Sequence, residues 1–389
     1  MQLVNPVTSF KWDILDINGV PFRGLQEKQG WSFSRAGYLA AKAGKTTDPD
    51  AWGQRARAEL RPASKYAMSL ARMDYELKSA PAFPRYMIIE PVGGVCGRKC
   101  PFCSINVIDR RDASGKPVKG NMKWAHFMKL MEECSRHNVY GLSAYMLGEP
   151  MYYIGRHEFG TVDIADMVNV AKMVAGFQVV NLSTFADVPN LSRLLECMLD
   201  DIIISIDGID ATVYAENRPS TKANDVGAFE RTLERVHRFL EMKVQLGSRT
   251  PHVILQCINK SNTANSIADF VRYWIDVDGV DSVFIKNLDS MRSWIPGVVS
   301  EEEDAIKAAQ VGSMACQHIF GIGAVFFNGV FSACCHDARS ELTSSYGNIE
   351  TSSFESWWNG PFMNELRREH LSGEFRVPCR DCRERDVWT

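Results

Sequence analysis

Six short apolar runs mark the middle of the chain: YMIIEPV (86–92), GLSAYML (141–147), FQVVNLST (177–184), DIIISID (201–207), HVILQCI (252–258) and SVFIKNL (282–288). Between them lie MKWAHFMKLMEECSRH, VDIADMVNVAKMVAG, NLSRLLECMLD, AFERTLERVHRFLEMKVQLG and TANSIADFVRYWIDVDG. In these longer segments apolar residues recur near i, i+3, i+4 and i+7, the spacing of an amphipathic helix. Alternation of strand and helix predicts βαβ units, a parallel sheet and a complete or partial barrel, an α/β fold. Chemistry in such folds sits at the carboxyl ends of the strands, so the residues just after each run carry the most information.

Residues 1 to about 80 read differently, mixing turn-rich segments (INGVPFRG, AGKTTDPDAWG) with a helical pattern over 51–78 that is interrupted at Pro62. They carry no chemical motif and no clear strand-strand-strand-helix pattern. Towards the other end, AVFFNGVFSA predicts a hairpin turning at Asn328-Gly329. Three units are expected: a mostly helical extension (1–84), the barrel (85–310) and a small C-terminal α+β unit (311–389).

Charge and composition narrow the function classes. A net charge of -3 over 389 residues leaves no basic footprint for nucleic acid. No stretch approaches the ~18 apolar residues of a membrane span, and MQLVNPVTSFKWD lacks the regions of a secretory signal, so a cytoplasmic chain without membrane contact is expected. Eleven cysteines in a reducing compartment then read as thiols, metal ligands and core residues, not disulfides. Cys134, Cys197 and Cys257 stand singly in helix-like or strand-like runs and are read as packing.

The other eight cysteines form two groups. Cys96, Cys100 and Cys103 lie in GVCGRKCPFC, directly after the first run. Structural zinc sites are closed by a fourth ligand, yet no histidine occurs before residue 126. Three thiols suit a site with one open position. In the second group, Cys316 and Cys334 flank the hairpin with Gly329 between them, and Cys379 and Cys382 form a terminal Cys-x-x-Cys. By spacing alone these four suit zinc or an iron–sulfur cluster equally well.

The triplet, with Phe102 just before its last cysteine, resembles the signature of the radical S-adenosylmethionine enzymes. The resemblance implies that Cys96, Cys100 and Cys103 hold a [4Fe–4S] cluster whose fourth iron is chelated by the cofactor's methionine part. YMLGEP (145–150) is similar to the family's glycine-rich motif, which assigns Gly148 and Glu149 to the cofactor's amino group, although Leu147 replaces the first glycine. NLSTFAD (181–187) resembles the polar end of the third strand, implicating Thr184, and ISIDGIDATVYAENR (204–218) places Ser205 for the ribose and Arg218 for the carboxylate.

Residues 329–382 resemble the family's C-terminal SPASM or twitch extension through the Gly-x4-Cys-Cys-x-Asp turn, the GNI segment, the Trp-Trp-Asn helix start and the final Cys-x-x-Cys. A partial (β/α)6 TIM-like barrel with a small cluster-binding domain follows from this resemblance. Full SPASM domains continue with further cysteines, so the shorter twitch type is expected, with one auxiliary [4Fe–4S] cluster on Cys316, Cys334, Cys379 and Cys382. This arrangement is similar to that of antibiotic-pathway dehydrogenases acting on aminocyclitols. The cofactors implied are two [4Fe–4S] clusters and S-adenosylmethionine, with flavodoxin or ferredoxin as reducing partner.

Cys335 is left over as a swapped ligand, a packed thiol or a hydrogen-atom donor, with His336 and Asp337 read as turn and supporting groups. Arg292, Lys286, Asn287, Asp289, Tyr145 and Tyr152 stand near strand ends and are candidates for substrate-side polar groups, with a structural or solvated role as the alternative for each; Arg292 and Cys335 are the two assigned to catalysis. Four functions remain open: dehydrogenation of a hydroxyl in a sugar or aminocyclitol, epimerisation of such a molecule, modification of a ribosomally made peptide, and a non-catalytic zinc scaffold.

Overall fold

The structure, a computed structural model, describes residues 15–17, 19–22, 24–27, 30–44, 79–106, 118–288, 315–337, 342 and 347–382. Its strands are β1 (Leu15–Ile17), β2 (Val20–Phe22), β3 (Leu25–Glu27), β4 (Gly30–Ser34), β5 (Tyr86–Ile89), β6 (Val92–Gly93), β7 (Gly120–Asn121), β8 (Gly141–Ser143), β9 (Gly155–His157) and β10 (Gly160–Val162). They continue with β11 (Val179–Thr184), β12 (Asp201–Ser205), β13 (His252–Asn259), β14 (Ser282–Asn287), β15 (Ile322–Val325) and β16 (Phe331–Ser332).

Each of the six apolar runs contains one parallel strand. Hydrogen bonding follows the order β5-β8-β11-β12-β13-β14, all parallel. Side chains alternate across this sheet. Met87, Ile89, Leu142, Val180, Leu182, Ile202, Ile204, Val253, Leu255, Val283 and Ile285 join the main core beneath the helices. Tyr86, Ile88, Ser143 and Asn181 occupy the alternate positions and line the inner face, where the Tyr86 hydroxyl meets Ser143 Oγ at 2.8 Å and donates to Asn181 Oδ1 at 3.1 Å.

Helices α1 (Arg35–Lys42), α2 (Trp124–Ser135), α3 (Ile164–Met173), α4 (Ala211–Asn217), α5 (Ala228–Gln245), α6 (Ile267–Ile275), α7 (His318–Gly321), α8 (Phe354–Trp358) and α9 (Pro361–Ser372) complete the frame. Polar side chains start several of them: Asp163 and Asp166 form a reciprocal capping box at α3, and Asp210 accepts from the Thr212 and Val213 amides at α4. NLSRLLECMLD does not become an α-helix. Only a 3₁₀ turn, Leu191–Leu195, forms there, without a side-chain cap.

The sheet extends beyond the barrel on both sides. β4 pairs antiparallel with β14 and β3 with β4, while β15 pairs parallel with β5 and antiparallel with β16. The mostly helical extension expected over 1–84 is therefore corrected among the described residues, which hold four strands and one eight-residue helix. Three-residue strands are too short to show a period of two. The helical pattern expected over 51–78 lies outside the described residues.

The C-terminal unit is anchored by aromatic packing. Trp358 is fully buried and its Nε1 donates to Pro81 O at 2.9 Å, while the Arg367 guanidinium stacks 4.3 Å from the Trp358 ring and donates to Ile319 O and Trp358 O. Cys134 and Cys257 are buried in the core and Cys197 is half-buried against Leu194 O.

Candidate functional site

The cysteine loop leaves β5 at its carboxyl end and is tied down by backbone hydrogen bonds. Lys99 N donates to Pro219 O, Thr221 N to Gly97 O and Glu149 N to Val95 O, at 2.8, 3.0 and 3.0 Å. These contacts fix the loop against the segments that follow β8 and α4. Burial pushes the Cys96 thiol up to about 12, that of Cys100 up to about 11, and that of Cys103 up as well. Three buried thiols that resist ionisation call for positive charge if they are to act as thiolates, and an iron–sulfur cluster supplies it.

Gly148 and Glu149 fit beneath this loop for a steric reason. Gly148 has φ +116°, and a Cβ there would stand 2.3 Å from Val92 O, so only glycine allows the turn. Glu149 is buried; its Oε1 accepts from Thr184 Oγ1 at 2.7 Å and from Met151 N at 3.2 Å, and its Oε2 from Phe185 N at 3.2 Å. Two residues predicted separately, Glu149 and Thr184, thus share a hydrogen bond. Burial outweighs these donors and pushes the Glu149 carboxyl up to about 7.

This shift predicts a pH signature in the cofactor-free protein. The folded chain keeps the Glu149 proton up to about pH 7, whereas the unfolded chain releases it near 4.5, so this group's contribution to stability falls as pH rises through that window. Relative to the parent, Glu149→Gln should gain on the order of 3 kcal/mol between pH 5 and pH 8 in denaturant titrations. Its affinity for S-adenosylmethionine should fall at both. An unchanged stability gap would contradict the assignment.

Ser205, at the end of β12, accepts from Gln256 Nε2 at 3.1 Å. Arg218 is gripped by Asp207, with Nε and Nη2 donating to Oδ2 at 2.7 and 2.6 Å, and its Nη1 lies 3.8 Å from Cys100 Sγ. Asp207, at φ +56°, also accepts from Ile258 N at 2.8 Å. Sequence reasoning missed Asp207, although an acid directly before a glycine at a strand end was a readable sign: a Cβ on Gly208 would lie 2.7 Å from Tyr214 N. Phe102 lies 5.4 Å from Lys260 Nζ, which donates to Asn217 Oδ1.

At the other group, Cys316, Cys334, Cys379 and Cys382 converge. Burial and the neighbouring Cys334, Cys382 and Cys379 thiols hold the Cys316 thiol well above its usual range. Cys316 N donates to His370 Nδ1 at 3.1 Å, and the turn after Cys379 closes through Cys382 N donating to Cys379 O at 3.2 Å. The hairpin turns at Gly329, φ +81°, with Phe326 N donating to Val330 O. Among the described residues no three His, Cys, Asp or Glu side chains stand close enough to hold one metal ion.

Cys335 turns away from this group to the inner face of the sheet, against the cluster of Tyr86, Ile88 and Ile322, with its Sγ 3.8 Å from His318 Nδ1. Burial holds Tyr145 up at about 12, with the nearby Cys335 thiol adding to it, and burial pushes His318 down to about 3. Tyr152 parts company with Tyr145: it lines an outer cavity beside Cys96. Lys286 acts electrostatically on Cys103, Asn287 is exposed, and Asp337 Oδ2 accepts from Leu342 N at 2.8 Å. Arg292 and Asp289 lie outside the described residues.

With the four thiols and their hairpin in place, the family comparison can be read against geometry: residues 316–383 match the SPASM family, an iron–sulfur cluster-binding domain. This segment is a SPASM domain. No curated protein matches the chain. Among solved structures, Streptococcus suis SuiB bound to precursor peptide SuiA is 13% identical, covering 97% of this chain and 93% of that one at a TM-score of 0.54. BtrN in complex with AdoMet and 2-DOIA is 15% identical (75% and 88% covered, TM-score 0.46), and native anSMEcpe with bound AdoMet is 15% identical (78% and 88%, TM-score 0.49).

The fold, shared with SuiB, is a partial barrel of six parallel strands joined to a C-terminal SPASM segment. The matched family binds an iron–sulfur cluster, and the segment it covers holds Cys316, Cys334, Cys379 and Cys382. Among the described residues no helix is long and apolar enough to cross a membrane.

Proposed function

We propose that this chain is a radical S-adenosylmethionine enzyme that oxidises an alcohol carbon of a hydroxylated small molecule, a sugar or aminocyclitol, to a ketone. When bound, the barrel cluster and S-adenosylmethionine supply a carbon-centred radical that takes a hydrogen atom, and the auxiliary cluster supplies an electron acceptor. Cys96, Cys100 and Cys103 hold the first cluster; Gly148, Glu149, Thr184, Ser205 and Arg218 seat the cofactor; Cys316, Cys334, Cys379 and Cys382 hold the second cluster. The observation that carries the reading is the convergence of these last four thiols, with Cys335 turned away. Four protein ligands leave no iron for substrate and favour electron transfer.

On the inner face, Tyr86, Ser143, Tyr145 and Asn181 offer hydroxyl and amide groups suited to a polyol. The neutral His318 beside Cys335 supports a second reading, epimerisation, in which the Cys335 thiol returns a hydrogen atom to the substrate carbon. The strands at the start of the chain remove the sequence argument against a peptide, so a precursor peptide belongs in the test.

Anaerobic reconstitution should yield about eight irons per chain. Reduced enzyme is then mixed with S-adenosylmethionine and either aminocyclitols or precursor peptides in deuterated water. Dehydrogenation predicts a ketone, one 5′-deoxyadenosine per turnover and no deuterium on product carbon. Deuterium at an inverted centre supports the second reading, and product without 5′-deoxyadenosine overturns both.

A further inference from the structure

On its outward side the cysteine loop borders a cavity of about 760 Å³ that no step above uses. Val95, Cys96, Gly97 and Arg98 form one wall, Tyr152 and Phe185 another, and the segment from Ser220 to Asp225 with Arg231 and Arg235 of α5 the rim. None of the residues assigned to the cofactor (Phe102, Gly148, Glu149, Thr184, Ser205, Arg218) lines it. It is therefore a separate approach to Cys96 from outside.

Its charge is opposite to that of the chain. Arg98, Lys222, Arg231 and Arg235 line it, and Lys99 is exposed beside them, against the carboxylates of Asp187 and Asp225. Asp187 takes guanidinium contacts from Arg98, Arg231 and Arg235 together, and Asp225 from Arg98 and Arg231. Cations thus outnumber anions at this spot on a chain of net charge -3. Arg98 is further fixed between the Phe185 and Tyr214 rings, 5.3 Å from each.

We propose that this basic cleft is the docking face for an acidic one-electron carrier protein, which delivers its electron towards the cluster at Cys96. The inference rests on the radical reading, since that reading gives the chain its need for an external electron. A small anion fits less well, because the arginines that line the cleft already pair with the half-buried Asp187 and Asp225 carboxylates. What remains is mainly a positive field, and a field steers a partner whose negative charge is spread over a surface. Val95 and Val226 are exposed at 39% and 88%, and exposed apolar side chains near Cys96 and Arg231 give a weak, short-lived encounter its dry contact.

The test uses the full reconstituted chain, the variants Lys222→Glu and Lys222→Glu/Val226→Glu, and purified acidic flavodoxin as probe. Both side chains are exposed and can be replaced without disturbing the core. Cofactor cleavage is driven either by dithionite or by limiting reduced flavodoxin, and flavodoxin binding is measured by calorimetry over a range of salt. We expect dithionite-driven cleavage within about twofold of the parent, flavodoxin-driven cleavage and affinity both down at least about tenfold, and a parental Kd that weakens with salt.

Unchanged flavodoxin affinity in the double variant, or a salt-independent Kd, overturns the docking face. So does an equal loss in Lys222→Arg, which keeps the charge, or full displacement of flavodoxin by millimolar inorganic phosphate, which would make the cleft a small-anion site. Failure of dithionite to drive cleavage in the parent is a different result: it overturns the radical reading itself.

Discussion

Cys100→Ala ends cleavage of S-adenosylmethionine. Four of about eight irons should be lost on reconstitution, and 5′-deoxyadenosine should fall below detection with dithionite as reductant. The size of the effect follows from where the residue sits. Cys100 is buried at 7% exposure, on a loop whose backbone is bound to Pro219, Thr221 and Glu149, and its sulfur faces the Arg218 guanidinium. No other thiol can swing in without breaking those bonds. Cys134→Ala or Cys257→Ala removes an equally buried sulfur, from α2 or from β13, and should keep all iron and all cleavage, with a loss of about 1 kcal/mol or more in stability. If Cys100→Ala retains iron and cleavage, the assignment of the triplet is wrong.

The second large effect separates the two clusters. Cys379→Ala should also lose about four irons, yet still cleave the cofactor, while product per cleavage event falls about a hundredfold or more. The reason lies in the division of labour: Cys379 is buried beside Cys316, Cys334 and Cys382, and no side chain assigned to S-adenosylmethionine belongs to that group. Comparing moles of 5′-deoxyadenosine with moles of product by mass spectrometry reads the uncoupling directly. Cys335→Ala is the companion measurement. It should retain all iron, because its sulfur faces the inner wall of the sheet, and a loss of deuterium incorporation in that variant alone would favour epimerisation. Equal loss of cleavage and product in Cys379→Ala would remove the electron-transfer role.

Much of this arrangement is legible in the sequence alone. The six apolar runs became the six parallel strands because a strand buried on both faces needs apolar side chains nearly throughout, and that demand is local. Cys96, Cys100 and Cys103 were readable because so short a loop brings its own side chains together. Asn328-Gly329 announced its hairpin because only a residue such as Gly329, at φ +81°, turns there without strain.

The sequence by itself determined which segments form the barrel strands and which cysteines stand grouped along the chain. Only the tertiary structure decided how the partners meet: Asp207 gripping Arg218, Asp187 shared by three arginines, Cys335 directed to Tyr145 and His318, β4 added beside β14 and β15 beside β5. Each of these joins groups apart along the chain. Periodicity and spacing act over a few residues, so such pairings are chosen only when the whole core packs.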